Sequence, residues 1–332
     1  MQSGRCPSDT SVQTPVETGH CMKRTFHICL SSHDEVMFRD DDDYNRGFNT
    51  FALALYKTDS IGLVESFMSD HVHMLIQTED PDRFMRAYRM PYTKYFNNRY
   101  GRHGRLGEPR HFVLEIKGLH HHLAAASYIL RNALHHGIVP IPYAYPHSSV
   151  NVIFQREMGK RPERDLIPRT SYYRHIGRHA SFPDSYVMNS SGLFLRESVL
   201  DIPQMENMFM TPRNFDYYMG RRTSEEWVKE QENDRNGTAS VTLEVIESNV
   251  RMTTLKDMLV LESGRADYRR ISDVDLCREI DRIVKEDLHA ASIYSLSCEE
   301  KKNLAGYLKG KYYSGGAQLC RCLALNYRPS AD

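Results

Sequence analysis

Two histidines separated by one residue, His71 and His73 in Ser66-Phe67-Met68-Ser69-Asp70-His71-Val72-His73-Met74-Leu75-Ile76, are the side chains best spaced to share a metal ion. Side chains alternate faces along a strand, so both imidazoles project to one side while Val72, Met74 and Ile76 turn the other way into a core. The chain has 16 histidines, and an isolated His-x-His is more often a surface pair, so chemistry requires a partner group. One follows in Leu123-Ala124-Ala125-Ala126-Ser127-Tyr128-Ile129-Leu130-Arg131-Asn132-Ala133-Leu134-His135-His136-Gly137, an alanine- and leucine-rich run with Gly137 at a C-cap position. On a helix Tyr128 and Asn132 share one face, so a phenol and an amide can both reach the histidines. A tyrosine oxygen beside a metal-bound phosphate is a nucleophile. Taken alone, any one of the 20 tyrosines is more often packing than catalysis.

The elements that must hold these groups follow from patterning. Thr25 to Ser31 alternates as a strand, and Asp41 to Tyr56 is an amphipathic helix that Asp40 can cap. Ile61 to Phe67 and His71 to Gln77 form a hairpin around the polar turn Met68 to Asp70. Arg83 to Tyr100 is a second helix after Pro81, Phe112 to Lys117 a further strand, and His120 to His136 the tyrosine helix. This order implies an α+β fold, a ferredoxin-like α/β sandwich with an antiparallel sheet.

The 332 residues carry 43 basic and 43 acidic side chains, so the formal charge is zero, unusual for a nucleic-acid protein judged globally. Locally the balance differs. Arg83, Arg86, Arg89, Lys94, Arg99, Arg102, Arg105, Arg110 and Lys117 face only Glu108 and Glu115, while the acidic run Asp40 to Asp43 lies elsewhere in the sequence. With Tyr88, Tyr92, Tyr95 and Phe96 interleaved, this stretch can follow a phosphate backbone and stack bases; alternatively the charges are a solvated face and the aromatics are core. The seven cysteines are scattered apart from Cys320-x-Cys322, which gives neither a disulfide framework nor a zinc site and suits a reducing cytoplasm. No apolar run approaches a membrane span.

Taken in order, these motifs resemble the HUH single-tyrosine transposases and, among them, the REP-associated tyrosine transposases of bacterial chromosomes. The family reads Met-Pro-Asn-His-Val-His-Leu-Leu where this chain has Met68-Ser69-Asp70-His71-Val72-His73-Met74-Leu75, and Tyr-Ile-His-Leu-Asn-Pro-Val-Arg-Ala-Gly-Leu-Val where it has Tyr128 to Val139. Tyr95-Phe96-Asn97-Asn98-Arg99-Tyr100-Gly101-Arg102-His103-Gly104 is similar to the stretch between them. The likeness covers residues 23 to 155. It implies that His71, His73 and Asn132 hold a divalent ion, Mg2+ or Mn2+, and that Tyr128 is the nucleophile; imidazoles alone would suggest zinc or another transition metal. It also implies a single-stranded DNA endonuclease and strand transferase that forms a 5′-phosphotyrosine near a hairpin, acts at the nucleoid, and works as a monomer or dimer. No base for Tyr128 is identified, and the ion or a bound water is expected to serve. Ser69-Asp70 in place of Pro-Asn is expected to alter only the turn, and Gly107 to Phe112 departs from the family's wording, which leaves the DNA details there open. Other readings are a catalytically silent DNA-binding regulator on the same fold, and a metal phosphohydrolase in which Tyr128 is dispensable.

The chain is expected to divide into a disordered tail (1–22), the nuclease domain (23–155), a linker and variable extension (156–270) and a helical module (271–332). Arg156 to His179 either extends the DNA surface or is solvated linker, and Glu225 to Ser240 is expected to loop out. Ser297 and Glu300 form a capping box, and Ala317 to Asn326 has the look of a helix-turn-helix whose recognition helix would have almost no length, or else of a purely structural helical module. Because Met22-Lys23-Arg24 precedes the first strand, translation is expected to begin at Met22; N-terminal sequencing of the native protein should find Met22, and finding residues 1–21 would reject it.

Overall fold

Strand β1 (Arg24–Ser31) pairs antiparallel with two neighbours, β3 (His71–Thr78) on one side and β4 (Phe112–Ile116) on the other, and β2 (Ile61–Phe67) closes the far edge of β3. The sheet order is β2-β3-β1-β4. With helix α1 (Asp41–Lys57) between β1 and β2 and helix α2 (Pro81–Tyr100) between β3 and β4, this is the ferredoxin-like α+β arrangement that the element order implies. The structure, a computed structural model, describes residues 22–32, 34–220, 271–312 and 314–326. The expected N-terminal tail and the expected loop from Glu225 to Ser240 lie outside the described residues.

Local chemistry explains where the helices start. The Asp40 carboxylate accepts from the Asp43 N–H, and Asp80 accepts from the Arg83 N–H with Pro81 in the first turn. Gly101, left-handed at φ 64°, ends α2. The two helices cover the face of the sheet that bears Phe67 and Val72. Phe67 meets the rings of Phe38, Phe48, Phe51 and Tyr88 at 5.4–6.5 Å. Tyr88, Tyr92 and Phe96 are fully buried there. They are core residues and offer no stacking surface, which settles the two readings of the aromatics in favour of packing.

The opposite face is covered by α3 (Leu119–Leu130) and α4 (Asn132–His135). The expected continuous helix from His120 to His136 is therefore broken: Arg131, at φ −94° and ψ 2°, caps one helix and opens the next, and Gly137 ends the second at φ 68°. Residues 142–220 wrap the same domain through short turns and helices α5 (Tyr173–Ile176), α6 (Arg196–Val199), α7 (Ile202–Phe209) and α8 (Pro212–Gly220). Tyr172, Ile176 and Phe182 are buried in its core. From Arg156 to His179 only Tyr172 and Ile176 are buried, and Arg156, Arg161, Arg164, Arg174 and Arg178 are exposed.

Helices α9 (Asp273–Glu286), α10 (Cys298–Tyr312) and α11 (Gly316–Cys322) form a second apolar cluster around Leu276, Ile280, Leu308 and Leu319, which also takes in Val36. Ser272 caps α9, and Ser297 and Glu300 make the expected capping box at α10. Three polar anchors hold this module to the sheet domain. The buried Arg39 guanidinium binds Asp281 through Nε (3.1 Å) and Nη2 (2.5 Å) and donates to the Cys322 carbonyl (2.9 Å). Ser292 Oγ donates to the Tyr100 carbonyl, and Ser69 Oγ donates to Asp273 (2.6 Å).

Removing a buried cation strands its partner, at a cost of about 3–5 kcal/mol for a fully buried pair. Asp281 is 35% exposed, so Arg39→Ala is expected to lose roughly 2 kcal/mol after solvent screening. Urea unfolding should report a lower midpoint, whereas a wild-type midpoint would mean that this pair does not anchor the module.

Candidate active site

The register of β3 against β1 decides which groups meet. Ser31 lies opposite His71 and Cys29 opposite His73, so these four side chains share the face that α3 covers. From α4, Asn132 places its Oδ1 3.0 Å from His71 Nε2. From α3, the Tyr128 ring meets the His73 ring edge-on, 5.4 Å between centroids and 88° between planes. The histidine rings are 5.1 Å apart at 82°. The structure thus brings all four residues singled out in the sequence into one cluster, despite the break at Arg131. The cluster is closed: Tyr128 is 6% exposed, and His71, His73 and Asn132 are buried outright.

Each histidine has a supporting partner. His71 Nδ1 lies 2.7 Å from Asp70 Oδ1, and a carboxylate can only accept, so the proton sits on Nδ1. This is the arrangement that orients imidazole ligands in metal sites. Burial opposes the Asp70 charge, yet Arg321, with Nε 3.6 Å away, and the His71 ring hold its carboxyl well below the usual carboxylate range. His73 Nδ1 lies 3.0 Å from His27 Nε2, and these rings stack at 5.1 Å. Burial pushes the His27 pKa down to about 3, and burial together with the neighbouring histidines takes His73 well below its ordinary value. Both rings are therefore neutral near pH 7. One proton is shared between His27 Nε2 and His73 Nδ1, and where His73 is the donor its Nε2 is left bare. Burial, and then the Asp70 charge, push the Cys29 thiol up, which removes it as a competing thiolate nucleophile.

Do these groups fit a divalent ion? Among the described residues no cluster of three or more His, Cys, Asp or Glu is arranged to hold one. The set in question is two imidazoles and an amide oxygen. Where His71 Nε2 carries no proton its lone pair meets that of Asn132 Oδ1, and the buried Asn132 Nδ2 has no hydrogen-bond partner. Turning the amide would pair Nδ2 with His71; a cation would satisfy both lone pairs. Donors each at roughly 2.1 Å from one octahedral ion stand about 3 Å apart. The donor chemistry fits.

The eight basic residues expected at DNA divide in two. Arg89 donates to the carbonyls of Leu106 (2.9 Å), Gly107 (2.8 Å) and Glu108, which shapes the loop before β4. Arg99 binds Asp40 and Asp43 (2.6 and 2.7 Å), and Arg102 binds Glu35. These three are committed to the fold, and the acidic run does cancel charge in space at Arg99. Arg83, Arg86, Lys94, Arg105 and Arg110 are exposed. Arg86, Lys94 and Arg105, with His103 and His111, line a groove of about 900 Å³ between α2 and the loop 101–111.

His27, Asp70, His136 and Arg321 escaped the sequence reading. His27 stands two residues before Cys29 on an alternating strand, so its face was legible once β1 and β3 were paired. His136 has its ring 5.4 Å from that of His71. Ser69 and Asp70, expected to alter only a turn, instead reach Asp273 and Arg321 of the C-terminal module. Nothing local in the sequence signals a contact across that distance.

No family model matches the chain, and no curated protein matches it. Among solved structures, a REP-associated tyrosine transposase bound to a REP hairpin aligns with 14% identity and a TM-score of 0.35, over 45% of this chain and 89% of that one. Among the described residues no helix is long and apolar enough to cross a membrane.

Proposed function

We propose that this chain is a metal-dependent tyrosine endonuclease and strand transferase acting on single-stranded DNA beside a hairpin. The convergence of a phenol, two imidazoles and an amide oxygen on one sheet face carries this reading. The ordered motif resemblance, spanning residues 23 to 155, supplies the substrate class. His71, His73 and Asn132 would hold the ion, Mg2+ or Mn2+. Bound there, such an ion neutralises charge on the scissile phosphate. Asp70 orients the His71 ring and His27 orients the His73 ring. The Tyr128 oxygen forms a bond to phosphorus as the bond to the 3′ oxygen breaks, leaving a 5′-phosphotyrosine and a free 3′-hydroxyl. Attack by another 3′-hydroxyl restores the phenol and joins the strands. The phosphodiester energy is conserved, so no nucleotide is consumed. Arg83, Arg86, Lys94, Arg105 and Arg110 would track the phosphate backbone.

A second reading has a specific observation in its favour. A phosphodiester cannot touch a nucleophile that is 6% exposed, so cutting requires α4 or its cover to move, and a regulator that binds DNA without cutting would not. One experiment separates the readings. The protein is incubated with Mn2+ and labelled single-stranded hairpins from the DNA flanking its gene, then run on denaturing gels beside Tyr128→Phe and His71→Ala. A covalent band that needs Mn2+ and falls at least about 100-fold in both variants is expected. Cleavage that survives Tyr128→Phe would indicate water-mediated hydrolysis, and binding with no adduct in any protein would favour the regulator.

Arg86→Ala with Lys94→Ala is expected to weaken hairpin binding and to reduce the slope of log affinity against log salt by about 1.4, two single-strand phosphate contacts at about 0.7 each. An unchanged slope would move DNA away from the groove.

A further inference from the structure

Behind the histidine pair lies a buried ionic chain that the reaction itself does not use. The Arg321 side chain, fully buried, takes Asp273 through Nε (2.9 Å) and Nη2 (3.0 Å to Oδ1) and stands 3.6 Å from Asp70 Oδ2. The other Asp70 oxygen accepts from His71 Nδ1 at 2.7 Å. Asp273 is in turn held by Ser69 Oγ (2.6 Å) and Gln318 Nε2 (3.0 Å). Arg321 belongs to α11 and Asp273 to α9, so two helices of the C-terminal module reach the residue that orients His71.

We propose that Arg321 is a positioning residue for the candidate active site, acting through Asp70 on His71, and that the C-terminal module completes the metal-binding face. This rests on the nuclease reading. A lone Asp70 carboxylate could turn about its last torsion and accept His71 from several directions. The guanidinium, locked by its fork onto Asp273, sets its positive charge 3.6 Å from Oδ2 and so favours the carboxylate orientation that aims Oδ1 at Nδ1. His71 Nε2 is thereby aimed at Asn132 Oδ1, 3.0 Å away. The link is specific to the side chains at 69 and 70. Ser69 and Asp70 are two of the three residues at which this hairpin departs from the motif it resembles, and each bonds or pairs with the module.

The test uses the full chain with 15N-labelled histidine and reads two quantities: the ring-nitrogen shifts of His71, which report where its proton sits, and Mn2+ affinity by calorimetry. In the wild type the proton is expected on Nδ1. Arg321→Gln should give mixed His71 tautomers and weaken Mn2+ by about 10- to 100-fold, as loss of an outer partner of a metal ligand does. Asp70→Asn should have a similar effect, and adding Arg321→Gln to it should change Mn2+ affinity by less than about 2-fold, since Arg321 acts through Asp70. A purely structural arginine would instead weaken Mn2+ by the same factor in both backgrounds. That result, or an unchanged His71 tautomer in folded Arg321→Gln, overturns the proposal. If Arg321→Gln does not fold, Arg321→Lys, which keeps the charge and loses the fork, is read by the same two criteria. If the wild type takes up no Mn2+ while its His71 tautomer still follows Arg321, the metal reading falls and the positioning role stands.

Discussion

A one-residue slip of β3 would turn His71 and His73 into the aromatic layer and Val72 and Met74 out of it. The candidate chemistry therefore depends on the pairing of β3 between β1 and β2. Phe67 on β2, opposite Val72, is surrounded by Phe38, Phe48, Phe51 and Tyr88, and that cluster accepts only the apolar set of β3. Register is thus set from the side of the sheet that does no chemistry. The other side inherits a row of polar groups, His27, Cys29, His71 and His73, that is buried because α3 lies over it.

Burying such a row is unfavourable unless each group is satisfied. The structure meets this requirement in part by pairing the groups with one another, leaving His27 Nδ1 and Asn132 Nδ2 without a hydrogen-bond partner. His27 takes His73, Asn132 takes His71, and Asp70 takes the remaining His71 nitrogen. Asp70 is itself charged and buried, so it needs a cation that the sheet domain does not supply, and Arg321 comes from α11. A second carboxylate, Asp273, balances that guanidinium. Buried ionic groups of this kind add little net stability compared with apolar packing, but breaking them is costly, which gives them value as positional devices. The C-terminal module is held by Arg39 and Asp281 on one side and by this chain on the other.

The basic stretch illustrates what charge counting misses. Spacing along α2 marked Arg83, Arg86 and Arg89 as equivalent, yet Arg89 is wrapped by the carbonyls of the following loop while Arg83 and Arg86 stay in solvent. Arg99 and the acidic run looked unrelated because they are far apart in sequence; α1 and α2 pack side by side and bring Asp40 and Asp43 onto it. The interleaved aromatics follow the same logic, since a helix lying on a sheet must spend its large apolar side chains on the interface.

Local rules carried the reading a long way. Two-residue alternation sorted the histidines from the core, capping residues Asp40 and Ser297 marked helix starts, and the order of elements implied the ferredoxin-like sheet, because each of these depends on neighbours within a few residues. The face shared by Tyr128 and Asn132 was legible for the same reason, though the turn at Arg131 was not. Tertiary structure alone decided that His27 supports His73, that Asp70 is more than a turn residue, and that Arg99 is spent on the fold. Each of these rests on a contact between residues from 46 to more than 200 positions apart. Such contacts arise only once the sheet register and the docking of α9 and α11 have excluded water and left few partners for each buried polar group.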